Sequence, residues 1–248
     1  MQKLILGLAL FFVSGCLPAS QPNQIIVDGE ATLAIAPEVF SLTAAVRARG
    51  DSHAEVLADI ASAVARIREK LPALEGLTQL SIDASAAQII PILDRKCVDE
   101  ADYRTRDACP VSGYFGAIEF GIDGAPASLS GPALSFLSEL GAESIILSRY
   151  SIIDLESAQK EALDAAVKDA RTKADKIAAA SGSAIAGAVR IQYGSGFSRD
   201  DYYGDQENLA RPMLDVASPE ASQPEIDLDL DPQPIKIRAK VVAAFEID

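Results

Sequence analysis

The chain has 248 residues, 22 basic against 36 acidic for a formal charge of −14, and 49% hydrophobic residues with no Trp and one His. That length supplies one large domain or two small ones with a buried core, and the ordinary apolar share excludes wholesale disorder. The acidic balance excludes nucleic acid as a main partner, because phosphate neutralisation needs a basic face.

In chain order, the first signal is at the N-terminus. Lys3 is followed by an unbroken apolar run from Leu4 to Val13 and then by Val13-Ser14-Gly15-Cys16. Ten apolar residues are too few to span a hydrocarbon layer of ~30 Å as a helix, so this reads as a signal segment over residues 1–15. Small residues leading into Cys16 resemble the bacterial lipobox, in which the cysteine is lipidated and becomes the mature N-terminus; the competing reading is an ordinary secretory signal cut slightly later, but no clean A-x-A site follows. Two or more acyl chains, at ~0.8 kcal/mol per buried methylene, make a stable tether. Removing residues 1–15 takes away Lys3 and no acid, so the mature body is still more acidic and anionic headgroups repel it; the lipid alone must hold it at the membrane. Residues 16–23, with Pro18 and Pro22, form the lipidated cysteine and a short extended linker. Leu17, where inner-membrane retention in enteric bacteria uses Asp, places the anchor in the outer membrane facing the periplasm.

The folded part is expected over residues 24–248. Gln24 to Ile35 and Val39 to Arg49 read as strands separated at Pro37. Ser52 and Glu55 form a capping box, after which Val56, Ile60, Val64, Ile67 and Leu71 repeat at helical spacing until Pro72. Leu80 to Ile92 and Val111 to Ile122 are two more strands, Pro126 to Leu140 a helix ended by Gly141, and Ser144 to Ile153 a strand. The order from residue 39 to 153 is therefore strand, helix, strand, strand, helix, strand, the split β-α-β, ferredoxin-like arrangement. A long helix runs from Asp154 or Leu155 to Ala180 with Gly182 as its stop. Along it, Ala158, Ala162, Ala166, Ala170 and Ala174 form a narrow packing row. Glu156 with Lys160, Asp164 with Lys168 and Asp169 with Lys173 form i to i+4 pairs on a solvated face. Ala184 to Tyr193 and Ile235 to Ile247 close the set as strands. The fold class is α+β, with mixed or antiparallel sheets packed with helices.

Cys97 and Cys109 lie between the second and third strands of that ferredoxin-like order. Export to an oxidising compartment makes a structural disulfide the expectation, closing a loop worth ~3 kcal/mol in the chain-entropy model. The competing reading is a redox-active pair, but the C-x-x-C spacing at a helix N-terminus is missing. Residues 199–231 hold ten acids and two bases, with prolines and serines, and read as a mobile acidic insertion, open to local pinning by Tyr202, Tyr203, Leu209 or Met213.

The sequence carries no catalytic constellation. There is no G-x-S-x-G, and Gly194-Ser195-Gly196 lacks both nucleophile-elbow and phosphate-loop spacing. His53 sits at a helix N-terminus, where the macrodipole disfavours its cation, and has no second histidine to work with; it reads as an exposed surface residue. Asp227, Asp229 and Asp231 alternate and offer hard oxygens to calcium, but Pro232 and Arg238 stand where an EF-hand loop needs Gly and Glu. The triad reads first as a solvated acidic run. With 6% aromatics there are few sugar-stacking platforms, and no cofactor is expected.

Two stretches carry a family resemblance. Val27-Asp28-Gly29-Glu30-Ala31 followed by Pro37-Glu38 is similar to the V-x-G-x-G and P-D entry of the SIMPL-domain family of bacterial envelope proteins, with Glu38 where Asp is usual. Ala166-Val167-Lys168-Asp169-Ala170-Arg171-Thr172-Lys173-Ala174 and then Gly182 resemble its A-x-x-x-A-R-x-K-A helix and glycine stop. The closing strand fits too, although Pro232-Gln233-Pro234 replaces the common P-G turn, and the resemblance spans about Ile25 to Ile247. It implies an α+β fold, an envelope location, an association with oxidative-stress defence, and self-assembly into ring or channel-like oligomers. It supplies no catalytic residue. The expected function is a lipid-anchored envelope protein acting by homo-oligomerisation or by binding an envelope partner. The alternatives are a thiol redox protein using Cys97 and Cys109, or an acidic ion- or solute-binding lipoprotein.

Overall fold

The computed structural model describes residues 23–102, 104–193, 224–226 and 228–248, together with the backbone of 214–215. The signal segment, Cys16, Asp227, Gly194-Ser195-Gly196 and most of the acidic stretch therefore lie outside the described residues.

Strand β1 (Gln24–Ile35) alternates, burying Val27 and Gly29 while Ile26, Asp28 and Glu30 face out. After a break at residues 36–38, β2 (Val39–Gly50) is buried nearly throughout its first eight residues, with Phe40, Leu42, Ala44 and Val46 in one apolar cluster. Helix α1 (His53–Lys70) starts where Ser52 Oγ accepts the Glu55 N–H at 3.2 Å and buries Val56, Ile60, Ala63 and Ile67. Glu55 completes the cap one residue further back than the capping box predicts, accepting the N–H of Asp51 at 2.8 Å. Pro72 lies in the tight turn Leu71–Ala73 that ends the helix.

Strand β3 (Gln79–Leu93) leads into the short helix α2 (Arg95–Glu100), and β4 (Val111–Ala125) returns alongside it. Helix α3 (Ser130–Glu139) begins four residues later than its sequence pattern predicts, because Ala127–Leu129 form a separate 3-10 turn after Pro126. Gly141, at φ +93°, terminates it in the left-handed region. Next come β5 (Glu143–Ser151), ending two residues earlier than predicted, and α4 (Leu155–Ser181). The long helix is capped by the Asp154 carboxylate and stopped by Gly182 at φ +73°. β6 (Ile185–Tyr193), β7 (Leu214–Asp215) and β8 (Ile235–Ile247) complete the chain.

The strands form two antiparallel sheets. The first has the order β5-β2-β4-β3-β7, so β4 is inserted between β2 and β3 as the split β-α-β arrangement requires. Helices α1 and α3 share one face of it, where Phe40, Leu42, Phe120 and Ile122 meet Val56, Ile67, Phe136 and Leu137 in one apolar cluster. The second sheet has the order β1-β8-β6, with β1 and β8 paired without interruption from Gln24↔Glu246 to Ile35↔Ile235. Helix α4 covers it, and its alanine row, extended by Ala178, is buried with Val241, Ala243 and Phe245 among its neighbours. The structure is α+β with two antiparallel sheets, as the element pattern predicts.

Parts of the acidic stretch pack against the rest. β7 pairs antiparallel with β3 through Gln79↔Asp215 and Leu80↔Leu214. Glu225 donates its N–H to Glu139 Oε1 at 2.6 Å, and the Leu228 carbonyl oxygen lies 1.6 Å from where a Cβ on Gly131 would stand. Only a glycine lets the two backbones approach that closely.

Candidate functional site

The two stretches singled out in the sequence meet in space. Helix α4 lies so close to β1 that a Cβ on Gly29 would fall 2.1 Å from the Ala166 carbonyl oxygen and 2.7 Å from Ala170 Cβ. Both the strand glycine and the helical alanines are needed for that approach. One turn further along α4, two charged side chains reach the strand's backbone. Asp169 Oδ2 accepts the Glu30 N–H at 2.9 Å, and Lys173 Nζ donates to the Asp28 carbonyl at 3.0 Å. The two are themselves joined at 2.6 Å. The exposed side chains of Asp28 and Glu30 are bridged by Lys240 of β8, at 3.5 and 3.0 Å.

The electrostatics follow from these bonds. The hydrogen bond from Lys173, backed by the Glu30 amide, holds the Asp169 carboxyl below its ordinary value of 3.8. The bond to Glu30, with Asp28 beside it, holds the Lys240 ammonium above its ordinary 10.5. Both groups are solvated, so these are matters of charge state more than of large energies.

Glu38, in the Pro37-Glu38 step, has an equally local task. Its carboxylate accepts the Ile153 N–H at 2.8 Å and its own N–H donates to the Ser151 carbonyl at 2.9 Å, tying the start of β2 to the chain between β5 and α4. Glutamate thus serves where aspartate is usual, its carboxylate still within reach of an amide across the strand. By spacing alone Asp169 and Lys173 form a pair on a solvated helix face. Their i to i+4 spacing is visible there, but the backbone they serve belongs to a strand 139 and 145 residues earlier, which no helical period reveals.

Cys97 and Cys109 are joined in a disulfide, with Cα atoms 5.7 Å apart and Cys109 buried. The bridge lies at the head of the β3–β4 hairpin, just past the last ladder pair Leu93↔Val111. Cys97 donates its N–H to the Asp94 carboxylate at 2.9 Å, and Asp102 accepts from the Arg104 and Thr105 amides, which lowers its pKa. The head is thus cross-linked and hydrogen-bonded locally, as a staple would be.

The remaining sequence candidates stay apart. His53 is exposed and stacks on Tyr114 with centroids 3.9 Å apart. Asp229 and Asp231 are exposed, Asp231 accepts from Gln233, and among the described residues no three His, Cys, Asp or Glu side chains gather as a metal site would. A recess between α1 and the sheet, walled by Val64, Ile67, Ile82, Ile118 and Phe120 with Arg68 at its side, offers about 10 Å³, room for one water and no substrate. Ser130, fully buried, shares a 2.8 Å hydrogen bond with the Tyr150 hydroxyl and bridges α3 to β5. Among the described residues no helix is long and apolar enough to cross a membrane.

Residues 25–245 match the family model of SIMPL, described as a protein of unknown function (DUF541). No curated protein matches the chain.

Proposed function

The chain belongs to the SIMPL family, and from that premise we propose that it is a lipid-anchored envelope protein that acts by joining other protein chains, its own or a partner's, and not by catalysis. The observation that carries this reading is the outer edge of β3. From Ala84 to Leu93 it pairs with β4 on one side, and among the described residues no strand lies on the other. Its sequence there ends Ile89-Ile90-Pro91-Ile92-Leu93, with Ile90 47% exposed. Between the irregularity at Ala84–Ala86 and Pro91, which has no N–H to give, Ala86 to Ile90 is the stretch of this edge open to strand addition, and β7 already uses the first two residues of β3 in that way.

Cys16 supplies the tether in this reading, and the outer membrane facing the periplasm the location. Protection against oxidative stress, the role implied by the family resemblance, would follow from such assembly at the envelope. Sizing the mature chain without its lipid by light scattering tests the central claim. A defined oligomer, or a captured envelope protein whose binding is lost on placing Lys at Ala86 and Gln88, supports it. A monomer that captures nothing contradicts it. For the tether, Cys16→Ser should abolish fatty-acid labelling and release the protein from the membrane fraction; a variant that stays bound would remove the lipid from the account.

A further inference from the structure

We propose that Asp169 and Lys173 close the outer edge of β1 against strand addition, so that this end of the three-stranded sheet cannot be extended by another chain while their bonds are in place. In the order β1-β8-β6, β1 is an end strand: β8 satisfies one side of it, and on the other side no strand among the described residues takes up its row of N–H and C=O groups. In an antiparallel ladder the N–H and C=O of one residue point to the same side, and successive residues alternate. The bonds from Glu30 N–H to Asp169 and from Lys173 to the Asp28 carbonyl therefore mark residues 28 and 30 as outward-bonding positions.

The match is one of spacing. Two residues along a strand advance about 6.7 Å and four along a helix about 6 Å. An acceptor and a donor placed at i and i+4 of α4 can thus reach an N–H and a C=O two residues apart on β1, provided the helix lies against the strand. Gly29 and the alanines at 166 and 170 bring it there. The 2.6 Å contact between Asp169 and Lys173 joins the two arms into one clamp, while Lys240 ties the Asp28 and Glu30 side chains together on the opposite face of the sheet. An incoming strand would need the same amide and the same carbonyl, and would have to displace a charged pair to get them.

The biological sense of the clamp rests on the assembly reading, but its test does not, because it compares variants with the parent whatever the parent's own size. In the full chain in detergent, the parent's Glu30 amide should exchange with deuterium at least about tenfold more slowly than that of Thr32, two residues on along the same edge, to which no α4 side chain bonds. Equal rates would overturn the proposal without any variant. Asp169→Ala with Lys173→Ala should abolish that difference while leaving the circular dichroism unchanged, and should produce concentration-dependent species absent from the parent in light scattering. Asp169→Asn, which keeps an acceptor oxygen, should behave as the parent. A folded double variant with the parent's exchange and the parent's size at every concentration would show that the clamp guards nothing.

Discussion

Gly29 is the residue on which the largest effect is expected. A methyl group there meets a helix carbonyl at 2.1 Å, backbone that cannot swing aside, so Gly29→Ala forces α4 away from β1. Overpacking of this kind costs about 1–3 kcal/mol, and chemical denaturation should register it as a lower midpoint at unchanged slope. The same substitution should speed exchange of the Glu30 amide, since Asp169 moves with the helix. The acid limb of stability tests Asp169 itself. Its carboxyl is held below 3.8, so its contribution is complete above that value and is lost as pH falls through the lower folded-state value; Asp169→Asn should flatten that limb. Lys240 has the opposite sign: held above 10.5, it contributes fully below that value and loses its contribution as pH rises through the higher folded one. At this scale the sequence showed which residues mattered but not why. Gly29 and Lys173 stood out by resemblance, yet their reason for being there is a contact between distant segments that neither segment's own pattern encodes.

At the scale of elements the sequence was more informative, because a strand or helix writes its buried face into its own period. The bounds of β1 and β8 were legible to the residue, as was the glycine stop of α4, whose start was legible only as Asp154 or Leu155. The order of elements from β2 to β5 also predicted their sheet, since a helical crossover leaves a gap that the next strand can fill. Three things were not legible. Leu214–Asp215 is too short to carry a period, α2 is a six-residue helix set by the Asp94 cap, and the pairing of β1 with β8 joins opposite ends of the chain. The hairpin head illustrates what a local link contributes. Beyond Leu93↔Val111 the chain from Asp94 to Pro110 is held by the Asp94 N–H to the Pro110 carbonyl at 2.8 Å and by the disulfide. Replacing Cys97 and Cys109 with Ser should cost about 2–4 kcal/mol by loss of loop-closure constraint, while the β3–β4 ladder and the oligomeric state persist. A change of assembly on reduction, or rapid cycling of the pair with a thioredoxin or peroxide, would instead favour a redox role.

For the molecule as a whole, the question is how much of the acidic stretch belongs to the packed body. Judged by composition, residues 199–231 bury too little apolar surface to offset the ~1–2 kcal/mol per residue of backbone ordering, and removing them would change only a loop-closure entropy that varies slowly with length. Composition averages over the stretch, however, and the contacts it makes are supplied by single residues: the two of β7 on β3, Glu225 on Glu139, and the Leu228 carbonyl against Gly131. Replacing residues 200–231 with a Gly/Ser connection removes ten acids and one base, and should lower the melting temperature by several degrees, the shift that a loss of about 1–3 kcal/mol gives in a chain of this size. Gly131→Val in the full chain offers the charge-neutral control. Its side chain takes the place of the Leu228 carbonyl, so it should reproduce part of that loss, and an equal fall at low and high salt would assign the effect to packing and not to the acidic charge. A replacement variant that melts with the parent would mean that these contacts form without adding stability, and that the domain is held together by its two cores alone.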